Sequence, residues 1–429
     1  MLLDKARKLD QNDSLAKFRD RFFIPSHDGQ LDLYFVGNSL GLQPKTTSDF
    51  VLAELNTWQH IGVRGHFEDS QHEILRSNTA GQWLDYHQRL TETMADLVGG
   101  QANEVIVMNT LTVNLHLMMA TFYRPTKTRN KILIEAHAFP SDKNAVESQI
   151  ALHGHKSSEC LIEIQPDQGQ LFSTEGVCEA IRKHRDSLAM ILLPGVQYYT
   201  GQVFDMKAIA AVANEFEIPI GFDLAHATGN VPLELHDWNV DFACWCTYKY
   251  LNSGPGSIAG CYIHQRHATN VNLPRLAGWW GHDHDSRFKM AGDFRPIATA
   301  EGWQLSNPPI LSAAAIRASL QIFADAGGMK PLVEKSRLQQ KFFRDCLTEN
   351  LGDKVNVIAP LECSGCQLSL EIKIDNVPGK TIFQELENNG IRTDWREPNV
   401  IRAAPTPLYN TFEEIWLFVD RLQQTISKA

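Results

Sequence analysis

Six short apolar runs recur through the middle of the chain, separated by segments long enough to form helices. They span residues 131–136, 160–164, 188–193, 218–222, 241–246 and 257–263. Continuously apolar strands are buried on both faces, so this alternation predicts an α/β domain with a mostly parallel sheet flanked by helices. Ligands collect at the carboxyl ends of the strands in such sheets, and we expect the binding site there.

The pattern changes after a turn signal at residues 307–309. Beyond it, two helices, a half-exposed strand, a further helix and a short strand are predicted over residues 312–326, 330–349, 367–374, 380–389 and 400–403. We therefore expect a large domain over residues 46–309 and a smaller α+β domain over residues 310–429. The segment 1–45 is expected to pack with the small domain.

The composition argues against several classes of function. The 429 residues carry a formal net charge of −10, whereas sequence-independent binding to nucleic acid requires a basic face. No apolar run reaches the length of a transmembrane helix, and the first residues lack the apolar segment of a signal peptide. We therefore expect a cytoplasmic protein with no nucleic-acid or membrane partner.

The eight cysteines do not form the framework of a disulfide-rich protein in a chain of this length. Cys244 and Cys246 alternate along an apolar run, which indicates small buried side chains. Cys363 and Cys366 have the spacing of a redox or metal pair, but no second pair of ligands accompanies them. A functional dithiol is the less favoured interpretation, and the role of these two cysteines stays open.

Two residues next to neighbouring apolar runs indicate a specific cofactor chemistry. Lys249 follows the run 241–246 and Tyr248, and Asp223 ends the run 218–222. An amine at a strand end can hold an aldehyde cofactor as a Schiff base. A buried carboxylate can pair with a pyridinium nitrogen and keep it protonated. Together they predict binding of pyridoxal 5'-phosphate (PLP).

Two further segments could complete such a site. Leu111 and Thr112 open a helical segment, where a hydroxyl and free N–H groups can bind a phosphate. Considered without Lys249 and Asp223, these two residues are better explained by an ordinary helix cap. Phe139 follows a strand and could stack on a pyridine ring, with Asp142 making a polar contact. A plain turn is an equally good interpretation of these last two residues.

A histidine-rich loop and one arginine have weaker signals. Residues 278–285 contain His and Asp without the spacing of a closed metal site, so we expect a polar loop and no metal. Arg402 lies on the predicted strand 400–403, where a fixed guanidinium could bind the carboxylate of an amino acid. A surface salt bridge is the alternative for this residue.

Four strings resemble the kynureninase family over almost the whole chain. They are FVGNSLGLQP (35–44), GFDLAHA (221–227), DFACWCTYKYLN (241–252) and APTPLYN (404–410). The resemblance implies the fold type I architecture of PLP enzymes and a homodimer with composite active sites. It also implies hydrolysis of L-kynurenine to anthranilate and L-alanine, and of L-3-hydroxykynurenine to 3-hydroxyanthranilate and L-alanine, in tryptophan degradation or NAD biosynthesis.

The same resemblance assigns roles to individual residues. Lys249 is implied as the Schiff-base lysine, Asp223 as the partner of the pyridinium and Tyr248 as a catalytic acid that also contacts the cofactor. The remaining cofactor contacts implied are Leu111, Thr112, Phe139, Asp142, His226, Trp279 and Asn307. Trp279 and Asn307 would reach the site across the dimer interface.

A further set is implied in substrate binding. Arg402 resembles the carboxylate anchor, and Ser39 is expected beside the substrate. His66, Ser306 and Asn307 resemble the pocket of members that favour the 3-hydroxy substrate, whose extra hydroxyl needs a polar partner. A related PLP enzyme of the same fold, such as a cysteine desulfurase or class V aminotransferase, is the alternative. A PLP-binding protein without turnover is a more distant one.

Overall fold

The computed structural model describes residues 1–68, 82–290, 292–374 and 377–428. Its centre is a mixed sheet of seven strands, whose spatial order is 105–107, 260–263, 242–245, 220–223, 188–194, 131–135 and 161–164. Gly260–Ile263 runs antiparallel to both of its neighbours, and the other adjacent pairs are parallel. The predicted architecture is confirmed. Val105–Val107 was not predicted, because a run of three residues is too short to show a strand pattern.

Both faces of the large sheet are covered, as the continuous apolar runs predicted. Side chains alternate between two cores: Phe222 and Trp245 belong to one, and Phe242 and Cys244 belong to the other. The strands in chain order are Val105–Val107, Lys131–Glu135, Leu161–Ile164, Leu188–Pro194, Ile220–Asp223, Phe242–Trp245 and Gly260–Ile263. The helices of this region are Thr47–Ile61, Gln88–Val98, Leu111–Phe122, Pro140–Leu152, Ser157–Cys160, Thr174–His184, Met206–Glu215 and Gln265–Ala268.

The C-terminal region forms an antiparallel sheet of four strands with helices against it. The strand order is Val355–Val357, Leu368–Ile372, Val400–Ala403 and Asp394–Arg396. The helices are Ile310–Asp325, Met329–Leu351, Gly379–Asn388 and Phe412–Lys428. Every element predicted after residue 309 is present, with bounds shifted by one or two residues at most ends.

The N-terminal segment packs with this smaller sheet. Helix Leu2–Gln11 lies against Phe412–Lys428, and Leu33–Tyr34 pairs in parallel with Ile391–Arg392. Two short antiparallel pairs, Phe22–Phe23 with Gln43–Pro44 and Ser26–His27 with Gln30–Leu31, complete the segment. The expected boundary at residue 310 stays a prediction, and helix Ile310–Asp325 packs against Thr47–Ile61 of the large region.

The strand Leu368–Ile372 is buried, so the expectation of a half-exposed strand was wrong. Its polar residues face the large domain instead of solvent: Gln367 donates from Nε2 to the carbonyl of Tyr198 at 3.0 Å, and Ser369 donates to the carbonyl of Tyr199 at 2.6 Å. These hydrogen bonds therefore join the small sheet to the segment that follows strand Leu188–Pro194 of the large sheet. Among the described residues, no helix is long and apolar enough to cross a membrane.

Candidate active site

A cavity of about 370 Å³ lies between the carboxyl ends of the large sheet and the strands of the small sheet. Ten of the residues predicted for the site line it: Ser39, Leu111, Thr112, Phe139, Asp142, Asp223, His226, Tyr248, Lys249 and Arg402. They come from both sheets, from two helix starts and from the N-terminal segment. The fold therefore brings together in one place residues that are up to 363 positions apart.

Lys249 lies beside a neutral imidazole. Its Nζ is 2.9 Å from Nε2 of His226 and 6.0 Å from the centre of the Phe139 ring. Burial lowers the pKa of His226 well below its usual value, and the positive charge of Lys249 lowers it further. The unprotonated ring nitrogen can accept a hydrogen bond from the lysine amine. Lys249, His226 and Phe139 all line the cavity, so the amine lies at its wall near both rings.

The position of Lys249 along its element differs from the expectation. Its strand, Phe242–Trp245, ends four residues earlier, and Lys249 lies in the turn that follows. Gly41 packs against this turn and donates its N–H to the carbonyl of Tyr248 at 2.8 Å. A Cβ at residue 41 would lie 2.3 Å from the carbonyl oxygen of Lys249, so this close approach requires glycine. The N-terminal segment therefore holds the lysine turn in place.

Asp223 is the last residue of strand Ile220–Asp223, as predicted, and two more carboxyl groups lie near it. Its Oδ1 accepts a hydrogen bond from the N–H of Ala225 at 2.6 Å. Burial raises the pKa of Asp142, and the negative charge of Asp223 raises it further. Burial also raises the pKa of Glu135. Burial thus favours the neutral form of Asp142 and of Glu135 beside Asp223, and Asp142 Oδ1 has no hydrogen-bond partner among the described residues.

This acid cluster fits a cationic ring nitrogen. A pyridinium would give Asp223 a positively charged partner. The buried atoms Asp142 Oδ1 and His226 Nδ1 have no hydrogen-bond partner in the described chain, so they are available to a ligand. Glu135 was missed by the sequence reasoning. Its signal was available, because a glutamate that ends an apolar strand lies at the same sheet edge as Asp223.

Two helices begin at the wall of the same cavity. Leu111–Phe122 follows Thr110 and Pro140–Leu152 follows Phe139, and neither preceding residue caps its helix with a side chain. Thr112 is thus not the cap of its helix; its hydroxyl lies 2.8 Å from that of Ser141, a cavity residue missed by the sequence reasoning. Uncapped N–H groups and hydroxyls suit a phosphate.

Phe139 and Tyr248 differ in exposure: Phe139 is exposed, whereas Tyr248 is half-buried. The Phe139 ring is 43% exposed and packs edge-on against Tyr198, with centroids 5.2 Å apart. A partly exposed ring at the cavity is available for stacking, and Phe139 immediately precedes the helix Pro140–Leu152 instead of lying in a plain turn. Burial raises the pKa of Tyr248, with a further contribution from the Cys246 thiol. Tyr248 is therefore a protonated phenol at neutral pH, as a proton donor requires.

Arg402 is buried, so the alternative of a surface salt bridge was wrong. Its Nε donates to Asp394 Oδ1 at 2.5 Å, and its Nη2 donates to the other oxygen of the same carboxylate. Nη1 donates to the carbonyl of Tyr198 at 2.6 Å, and Nη2 lies 3.3 Å from Ser39 Oγ. The hydrogen bonds from Arg402 lower the pKa of Asp394 although burial opposes them. Asp394, Tyr198 and the nearby Arg396 were not predicted.

Four predicted residues lie outside this cavity: His66, Trp279, Ser306 and Asn307. Ser306 and Asn307 are exposed, and His66 packs edge-on against Trp83 at 5.2 Å. Trp279 lines a separate cavity of about 350 Å³ and donates from Nε1 to the carbonyl of Arg287 at 2.9 Å. Hydrogen bonds to adjacent residues hold the loop 278–285 in place, including one between His282 Nε2 and Ser286 Oγ at 2.9 Å. A single chain therefore does not bring these four residues to Lys249.

Comparison with known proteins decides the family. Residues 332–422 match the kynureninase C-terminal domain, and residues 64–234 match the DegT/DnrJ/EryC1/StrS aminotransferase family. A kynureninase of Xanthomonas campestris pv. campestris (strain B100) is 48% identical over 421 residues, covering 97% of this chain and 96% of that protein. The chain belongs to the kynureninase family. A kynureninase of Flavobacterium psychrophilum is 44% identical over 429 residues, covering 99% of this chain and 98% of its own.

Solved structures share the fold of this kynureninase family member at low identity. A cysteine desulfurase of Escherichia coli superposes with a TM-score of 0.77 at 15% identity, covering 97% of this chain and 99% of the other. A cystine C–S lyase in complex with cysteine persulfide gives 0.74 at 17% identity, covering 91% and 97%. At such identity the likeness concerns the fold alone, and it agrees with the fold type I architecture.

Proposed function

We propose that this chain is a PLP-dependent hydrolase that acts on a carbon–carbon bond of a ketonic amino acid. It cleaves L-kynurenine to anthranilate and L-alanine, and L-3-hydroxykynurenine to 3-hydroxyanthranilate and L-alanine. The observation that carries this proposal is the Lys249 amine, 2.9 Å from the neutral His226 in a cavity that also contains Asp223. Membership of the kynureninase family supports the choice of substrate.

The residues of the cavity suit the parts of PLP. Lys249 would bind the aldehyde and Asp223 the ring nitrogen. The uncapped helix start at Leu111, with the hydroxyls of Thr112 and Ser141, would bind the phosphate. Phe139 would stack on the ring. When bound, PLP withdraws electrons from the α-carbon of an amino acid and so stabilises the charge that develops there.

Proton transfers fall to Lys249 and Tyr248. The Lys249 amine, once released by the substrate, takes the proton from the α-carbon, and the adjacent neutral His226 accepts a hydrogen bond that orients it. Tyr248 keeps its proton because burial raises its pKa, so it can donate this proton in the cleavage step. Water adds to the γ-carbonyl of the substrate, and the Cβ–Cγ bond then breaks. Cγ leaves in the carboxyl group of the anthranilate, while Cβ keeps the electron pair and takes a proton to give L-alanine.

The substrate would be held at both ends. Arg402 and Ser39 lie at the small-domain side of the cavity, where they would bind the α-carboxylate. His66, Ser306 and Asn307 would contact the aromatic end and favour the 3-hydroxy substrate. Since these three residues and Trp279 lie away from Lys249 in one chain, we propose a homodimer in which they serve the site of the partner subunit.

Cysteine desulfurization is less well supported, although desulfurases share the fold. That reaction needs a mobile nucleophilic cysteine, and no cysteine lines the cavity among the described residues. Cys366 is buried, and Cys363 lies on the short turn Leu361–Cys363, where burial raises the pKa of its thiol. Neither has the depressed pKa of a reactive thiol.

Product formation from both kynurenines by the PLP-loaded protein tests the proposal. We expect anthranilate or 3-hydroxyanthranilate together with equimolar L-alanine. Protein that carries PLP but cleaves neither substrate would contradict the assignment and leave only the fold. Release of sulfide from L-cysteine, measured in parallel, would instead favour the desulfurase.

A further inference from the structure

A short segment of the small domain, residues 363–366, lies directly against the large domain. The N–H of Val203 donates to the carbonyl of Cys363 at 2.9 Å. Three residues further on, the N–H of Cys366 donates to Oδ1 of Asn230 at 2.7 Å. The thiols of Cys363 and Cys366 take no part in these two hydrogen bonds. The backbone of this segment, and not its pair of cysteine side chains, therefore makes the contact with the large domain.

Asn230 connects this segment to the turn that carries His226. Its Nδ2 donates to the carbonyl of His226 at 2.7 Å, while its Oδ1 accepts from the N–H of Cys366. Among the described residues, neither of these two backbone groups has another hydrogen-bond partner. The Asn230 side chain is only 4% exposed, so water does not replace it easily. Two buried backbone groups from different domains thus depend on one amide.

The amide of Asn230 is closely confined between the two domains. A Cβ at residue 365 would lie 2.6 Å from both Nδ2 and Oδ1 of Asn230, which is closer than atoms of this kind approach. Residue 365 must therefore be a glycine for the segment to come this near. On the other side, the N–H of Asn230 donates to the carbonyl of Ala227 at 3.0 Å and fixes its backbone to the same turn.

The His226 ring depends on this turn for its position. Nε2 of the ring lies 2.9 Å from Lys249 Nζ, and Nδ1 has no hydrogen-bond partner among the described residues. A ring with one hydrogen bond is not fixed by polar contacts of its own, so the backbone must hold it. Asp223 holds one end of the turn through the N–H of Ala225 at 2.6 Å, and Asn230 holds the other end through the carbonyl of His226.

We propose that Asn230 is a positioning residue, which holds the His226 imidazole against the Lys249 amine and makes this contact depend on the small domain. The inference rests on the proposed function and deepens it, since it concerns the lysine proposed to bind PLP. A shift of the segment 363–366 relative to the large domain would move the amide of Asn230. The distance between the imidazole and the amine would change with it.

The absorbance of PLP-loaded protein as a function of pH measures this contact without any substrate. A neutral imidazole that accepts a hydrogen bond stabilises the protonated form of the nitrogen linking Lys249 to the cofactor. In Asn230→Ala and in His226→Ala, the pH midpoint of the absorbance change should therefore fall by about 0.5 to 1 unit, which corresponds to one neutral hydrogen bond. The charged groups that act on His226 are Lys249, Arg402 and Arg396, and all three are kept in these variants.

A double variant separates positioning from a general loss of stability. When Asn230→Ala is added to His226→Ala, the midpoint should change by less than about 0.2 unit, because the residue through which Asn230 acts is already gone. Thermal unfolding should occur at a lower temperature when Asn230→Ala is introduced into either background, since both then lose the two hydrogen bonds of the amide. A merely structural role would change the unfolding temperature and leave the midpoint as it is.

A second substitution disturbs the same contact from the small domain. Gly365→Ala pushes the amide of Asn230 away while Asn230 and His226 are both kept, and it should also lower the midpoint. This variant carries the test if Asn230→Ala does not fold. Asn214→Ala is the matched control, because Asn214 Nδ2 also donates to a backbone carbonyl, that of Asn239 at 3.1 Å, outside the cavity. It should keep the midpoint of the wild type.

The outcomes separate this inference from the proposed function. An unchanged midpoint in Asn230→Ala and Gly365→Ala, or an equal shift with and without His226, would overturn the role of Asn230. If the wild type cleaves kynurenine in that case, the proposed function still stands. If the midpoint depends on Asn230 through His226 but neither kynurenine is cleaved, the positioning role stands and the proposed reaction falls.

Discussion

The cavity wall at residues 223–249 and the surface segment at residues 276–307 carry different halves of the predicted site. In the wall, Asp223 and His226 are buried, and Lys249 is hydrogen-bonded at 2.9 Å. In the segment, Trp279 is 43% exposed and Asn307 is exposed as well. The groups proposed for bond breaking are thus assembled within one chain, whereas several groups proposed for recognition lie on its surface.

The surface segment has the character of a contact face. Trp279 packs edge-on against Phe288 at 5.4 Å, and Phe288 packs against Phe67 at 6.0 Å, yet all three are about half exposed. Clustered exposed aromatic side chains mark protein–protein contacts more often than free surface. The difference between the two regions supports the proposal that two chains associate to complete one site.

The largest expected effect is in the wall. Lys249→Ala removes the only group proposed to bind the aldehyde and to carry the α-proton, so kcat should fall more than about a thousandfold. Turnover of L-3-hydroxykynurenine measures it, and Lys207→Ala, an exposed lysine of helix Met206–Glu215, is the control. Full activity of Lys249→Ala would contradict the whole interpretation of the wall.

The wall was also the part that the sequence could predict. Asp223 and Lys249 follow strong apolar runs, and the sheet topology brings such residues to one edge. Asp394 and Arg396 could not be found in this way, since they lie on a half-buried strand of three residues whose role depends on Arg402 across the small sheet. Long-range pairs of this kind leave no local pattern. The exposure of Asn307 likewise follows from the packing of the chain and not from its neighbours in sequence.

A second test compares two acids of the cavity, Asp223 and Asp142. Asp223→Asn keeps the shape but loses the negative charge, and kcat/KM should fall about a hundredfold, which corresponds to about 3 kcal/mol. Asp142→Asn should lose much less, because burial and the charge of Asp223 raise the pKa of Asp142 and the amide resembles its neutral form. Steady-state kinetics of both variants measure the difference. Equal losses would mean that Asp142 acts as a carboxylate.

Mixing an inactive chain with an impaired one tests whether the two regions meet across an interface. Asn307→Ala alone should lower kcat/KM about tenfold through a lost hydrogen bond. Coexpressed in equal amounts, Lys249→Ala and Asn307→Ala chains should give about a quarter of wild-type activity, since half of the dimers are mixed and each has one intact site. With sites confined to one chain, only about a twentieth would remain. Differently tagged chains allow the mixed dimer to be isolated and measured.

Substrate preference should change less. His66 packs edge-on against Trp83, and its Nδ1 lies 3.1 Å from the carbonyl of Val63, which leaves Nε2 for a ligand hydroxyl. His66→Trp should lower the ratio of kcat/KM for L-3-hydroxykynurenine over L-kynurenine about two- to tenfold, the worth of one neutral hydrogen bond. An unchanged ratio would remove His66 from the substrate pocket and weaken the assignment of Ser306 beside it.

The smallest expected effect concerns the stability of the surface segment. His284 Nε2 lies 3.2 Å from Glu301 Oε2, and this hydrogen bond raises the pKa of His284 above its ordinary 6.5. Burial alone would raise the pKa of Glu301, but hydrogen bonds from His284 and His87 lower it below its ordinary 4.5. The contribution of His284 is complete below pH 6.5 and is lost as the pH rises through its raised pKa. That of Glu301 is complete above pH 4.5 and is lost as the pH falls through its lowered pKa.

Thermal unfolding between pH 6 and pH 9 measures the contribution of His284 to stability. The wild type should lose about 2 °C more in Tm over this range than His284→Gln, a small effect because His284 is 38% exposed. Glu301→Gln should remove the same difference, since the raised pKa of His284 depends on that carboxylate. If both variants keep the pH slope of the wild type, the pair does not stabilise the segment.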